Sequence, residues 1–141
     1  MSGWLLDTNV LSELRRKQPA PEVTAFVAAK PLSQLYVSIN TLAEIRYGIE
    51  LIDDPERRAA LTLWLDHRLR PMFAGRILPL CEDTLLQWRL IIESRRKRGH
   101  TFSHPDVLIA ASAARHGLTV ATRDLADFEA AGVPVVNPWN G

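Results

Sequence analysis

The chain predicts an α/β fold in which a parallel sheet is covered by helices on both faces. Short apolar runs of strand length alternate with longer segments of helical apolar spacing along the whole chain. Strands separated by helices pair in parallel and are buried on both faces. Acidic residues recur just past the strand runs or at the helix starts, and open parallel sheets bind ligands at that edge. At 141 residues the chain has room for one domain with a real core, so residues 1–141 are read as a single domain.

The elements follow in order. Residues 3–6 form the first strand, with Trp4-Leu5-Leu6 ending in Asp7-Thr8-Asn9 and an amphipathic segment from Val10 onward. A helix runs over 21–29, with Pro21 in its first turn. Leu35-Tyr36-Val37 is a second strand. Leu42, Ile45, Ile49 and Ile52 have helical spacing over 41–51, and Leu61, Trp64, Leu65 and Leu69 repeat it over 55–69, where Pro71 is expected to close the helix. Residues 77–80 form a third strand. A helix over 83–98 carries Leu85, Leu86, Trp88, Ile91 and Ile92, and an Ala-rich helix over 103–116 is stopped by Gly117. Residues 118–121 and 133–136 complete the strands.

Composition narrows the class. The apolar fraction is 47% and the net charge +1, ordinary for a globular protein, and no apolar run approaches a membrane span. The N-terminal residues show no basic region ahead of an apolar stretch. Cys81 is the one cysteine, so neither a disulfide framework nor a thiolate metal site is available, and the expected compartment is a reducing cytoplasm. Arg95-Arg96-Lys97-Arg98 is the densest basic run; it reads either as a solvated helix end or as a phosphate contact.

Four acids occupy equivalent places. Asp7 follows the first strand. Glu44 is read in the first turn after the second strand, Asp106 in the first turn of the Ala-rich helix, and Asp124 follows the strand ending at Ala121. Each has a structural alternative. Thr41–Glu44 and Ser103–Asp106 have capping-box spacing, and Asp7 and Asp124 suit caps and turns. Several carboxylates on one edge repel one another, however, and such a cluster calls for a cation. All the donors are oxygens, which favours Mg²⁺ or Mn²⁺ over zinc. Such an ion leaves positions open for substrate phosphate and an attacking water.

The ordered set of motifs resembles a known family. Leu5-Leu6-Asp7-Thr8-Asn9 resembles the opening of PIN-domain nucleases, Asp106-Val107-Leu108-Ile109-Ala110-Ala111 their third acidic motif, and Thr122-Arg123-Asp124-Leu125-Ala126-Asp127-Phe128 their fourth. The ending Gly132-Val133-Pro134-Val135-Val136-Asn137-Pro138-Trp139 also looks like theirs. The resemblance points to the VapC toxins, in particular the FitB-like branch. It implies a Rossmann-like α/β/α sandwich with a short, mainly parallel sheet. It also implies divalent-metal-dependent hydrolysis of RNA phosphodiester bonds, with Asp7, Glu44, Asp106 and Asp124 as both the catalytic and the metal-binding set. Many VapC members carry Asn at the place of Asp124, and Asp127 is a second candidate there. The resemblance further implies a VapB-like antitoxin as partner, operator DNA reached through that antitoxin, and a homodimer.

Other residues carry two readings. Thr8, Asn9 and Ser38 suit caps and turns, but any of them can orient a ligand at the same edge. Thr122 has a stronger functional case because it directly precedes Arg123 and Asp124. His100 and His104 flank the Asp106 helix start; the exposed-loop reading is preferred to a general base. His67 and His116 read as surface residues, and Trp64 and Trp88 as core or interface. Two rivals to the nuclease stand. A phosphatase-like domain would want a second Asp two residues after Asp7, where Asn9 stands. A non-enzymatic, antitoxin-binding module with little nuclease activity would use the acids only to neutralise a partner's arginines.

Overall fold

The computed structural model describes residues 3–96 and 104–140, without the side chains of residues 104–106. The elements are β1 (Trp4–Leu6), α1 (Thr8–Arg15), α2 (Pro21–Ala28), β2 (Leu35–Ser38), α3 (Ile39–Glu50), α4 (Pro55–Trp64), α5 (Arg70–Met72), β3 (Ile77–Leu78), α6 (Glu82–Arg96), α7 (His104–His116), β4 (Thr119–Ala121), α8 (Leu125–Ala130) and β5 (Val135–Val136). The five strands form one sheet in the order β3-β2-β1-β4-β5, and every pairing is parallel. The first strand of the sequence is therefore the central strand, with β2 and β4 on its two sides.

Successive side chains of a strand point to opposite faces, and the core divides accordingly. Leu6 and Ala121 pack with Val10, Leu11, Val23, Leu42 and Ile49, from α1, α2 and α3. Leu5 and Val120 pack with Ile109, Ala113 and Phe128, from α7 and α8. Helices therefore cover both faces, as the all-apolar strand runs require. Asp83 in the first turn of α6 pairs with Arg115 in the last turn of α7 at 3.2 Å, so these two helices are antiparallel. Gly117, at φ 65°, ends α7 and turns the chain into β4.

Three helices differ from the sequence expectation, of which α8 has no counterpart among the expected elements. The helix over 55–69 is not closed by Pro71. Leu65–Leu69 adopts the wider π-type turn and α5 continues through Pro71. Proline has no N–H for the preceding turn, and the wider turn absorbs that loss. In α3 the N-cap is Ser38, whose hydroxyl accepts from the Asn40 amide at 3.1 Å. The helix begins two residues before the expected 41–51, so the Thr41–Glu44 capping box does not form. The 83–98 helix is described only as far as Arg96.

Gly3 joins the chain start to the central strand at φ 154°, where an added Cβ would stand 2.7 Å from the Gln34 carbonyl oxygen. That oxygen is backbone and cannot swing away. Gly3→Ala is therefore expected to destabilise the domain by about 1–3 kcal/mol. An unchanged denaturation midpoint would show that the β1–β2 contact is looser than described.

Candidate active site

The sheet register builds the site. Leu6 pairs with Ala121, and the Asp7 amide donates to the Ala121 carbonyl at 3.0 Å, so Asp7 and Thr122 leave the sheet side by side. Asp7 is also the N-cap of α1, its Oδ1 accepting from the Thr8 amide at 2.8 Å. The capping and functional readings of Asp7 thus hold together. The Thr122 hydroxyl, fully buried, donates to Asp7 Oδ2 at 2.8 Å and accepts from the Asp124 amide at 3.0 Å. The Asn9 side-chain amide lies 3.2 Å from the Thr122 hydroxyl, 3.3 Å from Asp124 Oδ2 and 3.5 Å from Asp7 Oδ2. Thr122 and Asn9 thus tie the first acid to the last across the sheet edge. Asp124 is the N-cap of α8 by position, but its side chain makes no capping bond.

Glu44 reaches the same cleft from the other side of β1. Because α3 starts at Ile39, Glu44 lies in the second turn and not, as expected, in the first. Its Oε2 accepts from the Thr8 hydroxyl at 3.1 Å and its Oε1 from the Asn40 side-chain amide at 3.1 Å, one helical turn earlier on the same face. Asp7, Glu44 and Asp124 line an open cleft of about 500 Å³ with Thr8, Asn9, Arg15 and Arg123. Asp127, in the first turn of α8, is not among its lining residues. Asp106 falls in the first turn of α7, but its side chain lies outside the described residues, as do His100 and the side chain of His104. Among the described residues, no three His, Cys, Asp or Glu side chains are grouped tightly enough to hold an ion. The acids stand apart, bridged by hydroxyl and amide groups.

Asp7 is 4% exposed. Burial pushes its carboxyl above the ordinary range; the bonds from Thr122 and Thr8 pull it back, and the nearby Glu44 and Asp124 push it up again. The neighbouring charges therefore oppose its ionisation, the situation that a bound cation reverses.

Sequence reasoning passed over Glu13. It is buried on α1 and lines the cleft, but it accepts from the Ala20 amide at 2.9 Å and pairs with Arg16 at 3.2 Å. The Ala20 bond, then Arg16, hold its carboxyl below the usual range. Glu13 therefore fixes the link from α1 to α2. A glutamate between Val10-Leu11 and Leu14 was the available signal, and helical periodicity alone placed it beside the buried stripe. Asn40 and Thr41 were also missed, the first as a donor to Glu44 and the second as a buried hydroxyl 3.4 Å from that of Thr8. The basic run divides too. Arg95 has its Nε buried, and its Nη2 is 3.0 Å from where a Cβ of Gly132 would lie, so it is packed within the fold. Arg96 is exposed, and 97–98 lie outside the described residues.

The PIN domain model matches residues 4–133, spanning the central strand, the acids and the α8 turn. The chain belongs to the PIN-domain family. Within it, the chain is 38% identical over 135 residues to the VapC ribonuclease Y4jK of Sinorhizobium fredii, covering 96% of each chain. It is 41% identical over 136 residues to Toxin FitB of Neisseria gonorrhoeae, covering 96% of this chain and 98% of that protein. A solved structure of FitAB bound to an IR36 DNA fragment superposes with a TM-score of 0.91 at 40% identity, covering 96% of this chain and 95% of that one. The solved neighbours of this PIN domain thus include FitAB and VapBC complexes, some of them holding DNA. Among the described residues, no helix is long and apolar enough to cross a membrane.

Proposed function

We propose that this PIN domain is the toxin of a VapBC-like toxin–antitoxin pair and acts as a divalent-metal-dependent endoribonuclease. The observation that carries the reading is the convergence of Asp7, Glu44 and Asp124 on one cleft at the C-terminal sheet edge, with Asp7 buried among negative neighbours. Relatives named as a ribonuclease and as a toxin, each similar over 96% of this chain, support it. The donor set fits a hard ion such as Mg²⁺ or Mn²⁺, because it is all oxygen and burial pushes the carboxyl of its most buried member, Asp7, above the ordinary range, which a bound cation would bring down. Asp7, Glu44, Asp124 and Asp106 are the residues that would hold it. When bound, such an ion supplies Lewis-acid activation of water and stabilises charge on the reacting phosphate.

The chain's own residues do the rest. The bonds from Thr122 and Thr8 hold the Asp7 carboxylate in one orientation, and Asn9 holds Asp124 beside it. Arg15 and Arg123 line the cleft and supply forked donors for phosphate. In the hydrolysis, the oxygen of a water bonds to phosphorus and the bond from phosphorus to the 3′ oxygen breaks. A proton goes to that oxygen, leaving a 3′-hydroxyl and a 5′-phosphate. A VapB-like antitoxin is the proposed partner, since similar solved chains are found in FitAB and VapBC complexes. Exposed Tyr47, Leu51 and Leu63 on the α3–α4 side offer apolar surface for an interface.

Two measurements test the reading. Purified, antitoxin-free protein is expected to cut RNA with added Mg²⁺ or Mn²⁺, to leave 5′-phosphate ends, and to stop on chelation. Cleavage that survives chelation would overturn the metal dependence. Phosphate release from simple phosphomonoesters would favour a phosphatase, and no turnover at all a binding module. Separately, Mg²⁺ or Mn²⁺ alone is expected to raise the melting temperature, since a ligand at a hundred times its Kd stabilises by about 2.7 kcal/mol. A melt indifferent to either ion in the parent protein would refute the site.

A further inference from the structure

Of the three arginines that line the acidic cleft, Arg15 and Arg123 each lie over a tryptophan, one on each side of the central strand. The Arg123 guanidinium carbon lies 4.5 Å from the Trp139 ring centroid and that of Arg15 lies 5.8 Å from Trp64, both within cation–π range. Arg123 directly precedes Asp124, on the β4 side of β1. Trp64 and Arg15 share a groove with Glu44, on the β2 side. The two tryptophans come from distant parts of the chain, α4 and the single turn Pro138–Asn140 that follows β5. Each is half-buried and packed against the core, so it is a fixed plate.

What the guanidinium groups lack is equally informative. Among the described residues, neither Arg15 nor Arg123 makes an ion pair or donates a guanidinium hydrogen bond, whereas neighbouring Arg16 is tied to Glu13. A guanidinium held over an aromatic ring still has N–H groups that can reach the two oxygens of a phosphate. Stacking also removes side-chain freedom before any ligand arrives, so less is lost on binding. An arginine held this way beside carboxylates also resists collapsing onto them.

We propose that Trp64 and Trp139 are positioning residues that hold Arg15 and Arg123 as phosphate clamps on the two sides of the acids. The proposal rests on the ribonuclease reading and adds the side chains that fix its phosphate contacts.

The test is RNA binding as a function of salt, measured without divalent ion on a labelled unpaired oligonucleotide. Each phosphate contact contributes about 0.7 to the log–log slope for a single strand. Arg123→Gln is expected to lower the slope by about 0.7. Trp139→Leu should lower it equally, and the double variant no further, because the tryptophan acts only through the arginine. Trp139→Phe, which keeps a ring face, should retain most of the slope. The Arg15 and Trp64 variants should behave in the same way. An intact slope in folded Trp139→Leu and Trp64→Leu, or additive losses in the doubles, would each overturn the clamps. Absence of any salt-dependent RNA binding by the parent protein would instead remove the ribonuclease reading itself.

Discussion

Asp7→Asn is expected to lower RNA cleavage by on the order of a thousandfold or more while leaving the domain folded. A ligand carboxylate that supports metal-assisted hydrolysis is worth several kcal/mol of transition-state stabilisation, and each 1.36 kcal/mol or so is tenfold in rate. The fold should survive because Asn keeps one carbonyl oxygen to accept from the Thr8 amide or the Thr122 hydroxyl. Without metal, the variant should gain on the parent protein as pH rises. The folded state holds the Asp7 carboxyl above its ordinary range, first because it is buried. The protonated form is therefore the one that folding favours. Stability from this group is fully present below its ordinary pKa and is lost as pH rises through the raised folded value. Asn carries no such loss, so the melting curves of parent and variant should separate at neutral pH and converge in acid. Retained cleavage would remove Asp7 from the machinery. A constant gap in melting temperature across pH would mean that burial does not load its charge.

Thr122→Val is expected to lower cleavage by about 10–100-fold, the usual cost of losing a group that orients a metal-binding side chain. The substitution nearly conserves shape but deletes the hydroxyl, which is fully buried and serves Asp7, Asp124 and Asn9 together. Leaving such groups without their partner should cost about 1–3 kcal/mol of stability at neutral pH. Thr122→Ser, which keeps the hydroxyl, should recover most of the activity, whereas a packing role alone would make Ser the worse substitution. Cleavage equal to that of the parent in the Val variant would show that Asp7 needs no hydroxyl beside it. Asp124→Asn should be milder than either, since Asp124 is exposed and an amide oxygen can still accept from Asn9.

The sequence by itself determined the elements and the edge. Apolar runs of strand length and helical spacings depend on neighbours a few residues away, so β1, β4, α2 and α7 lie close to where local pattern put them. The placement of Asp7 and Asp124 after strands is also local, and a parallel sheet turns that placement into one shared edge. Where two local signals competed, local reading failed. Ser38 and Thr41 are both sound N-caps, and the end of β2 decided for Ser38, moving Glu44 into the second turn. Pro71 reads as a stop, but Leu65 and Leu69 are buried in the core and hold the helix on course through a wider turn.

Only the tertiary structure decided which side chains meet. Thr122 stands beside Asp7 because Leu6 pairs with Ala121, 115 residues apart. Arg123 finds Trp139 because β5 returns beside β4 and delivers the tail to the α2 side of the core. Glu13, an acid in the same cleft, is spent on Arg16 and Ala20, because α2 brings its first amides within reach. Periodicity reports which face of an element is buried. It carries no information on the distant residue that will occupy the facing position, which the strand register and the crossover connections set.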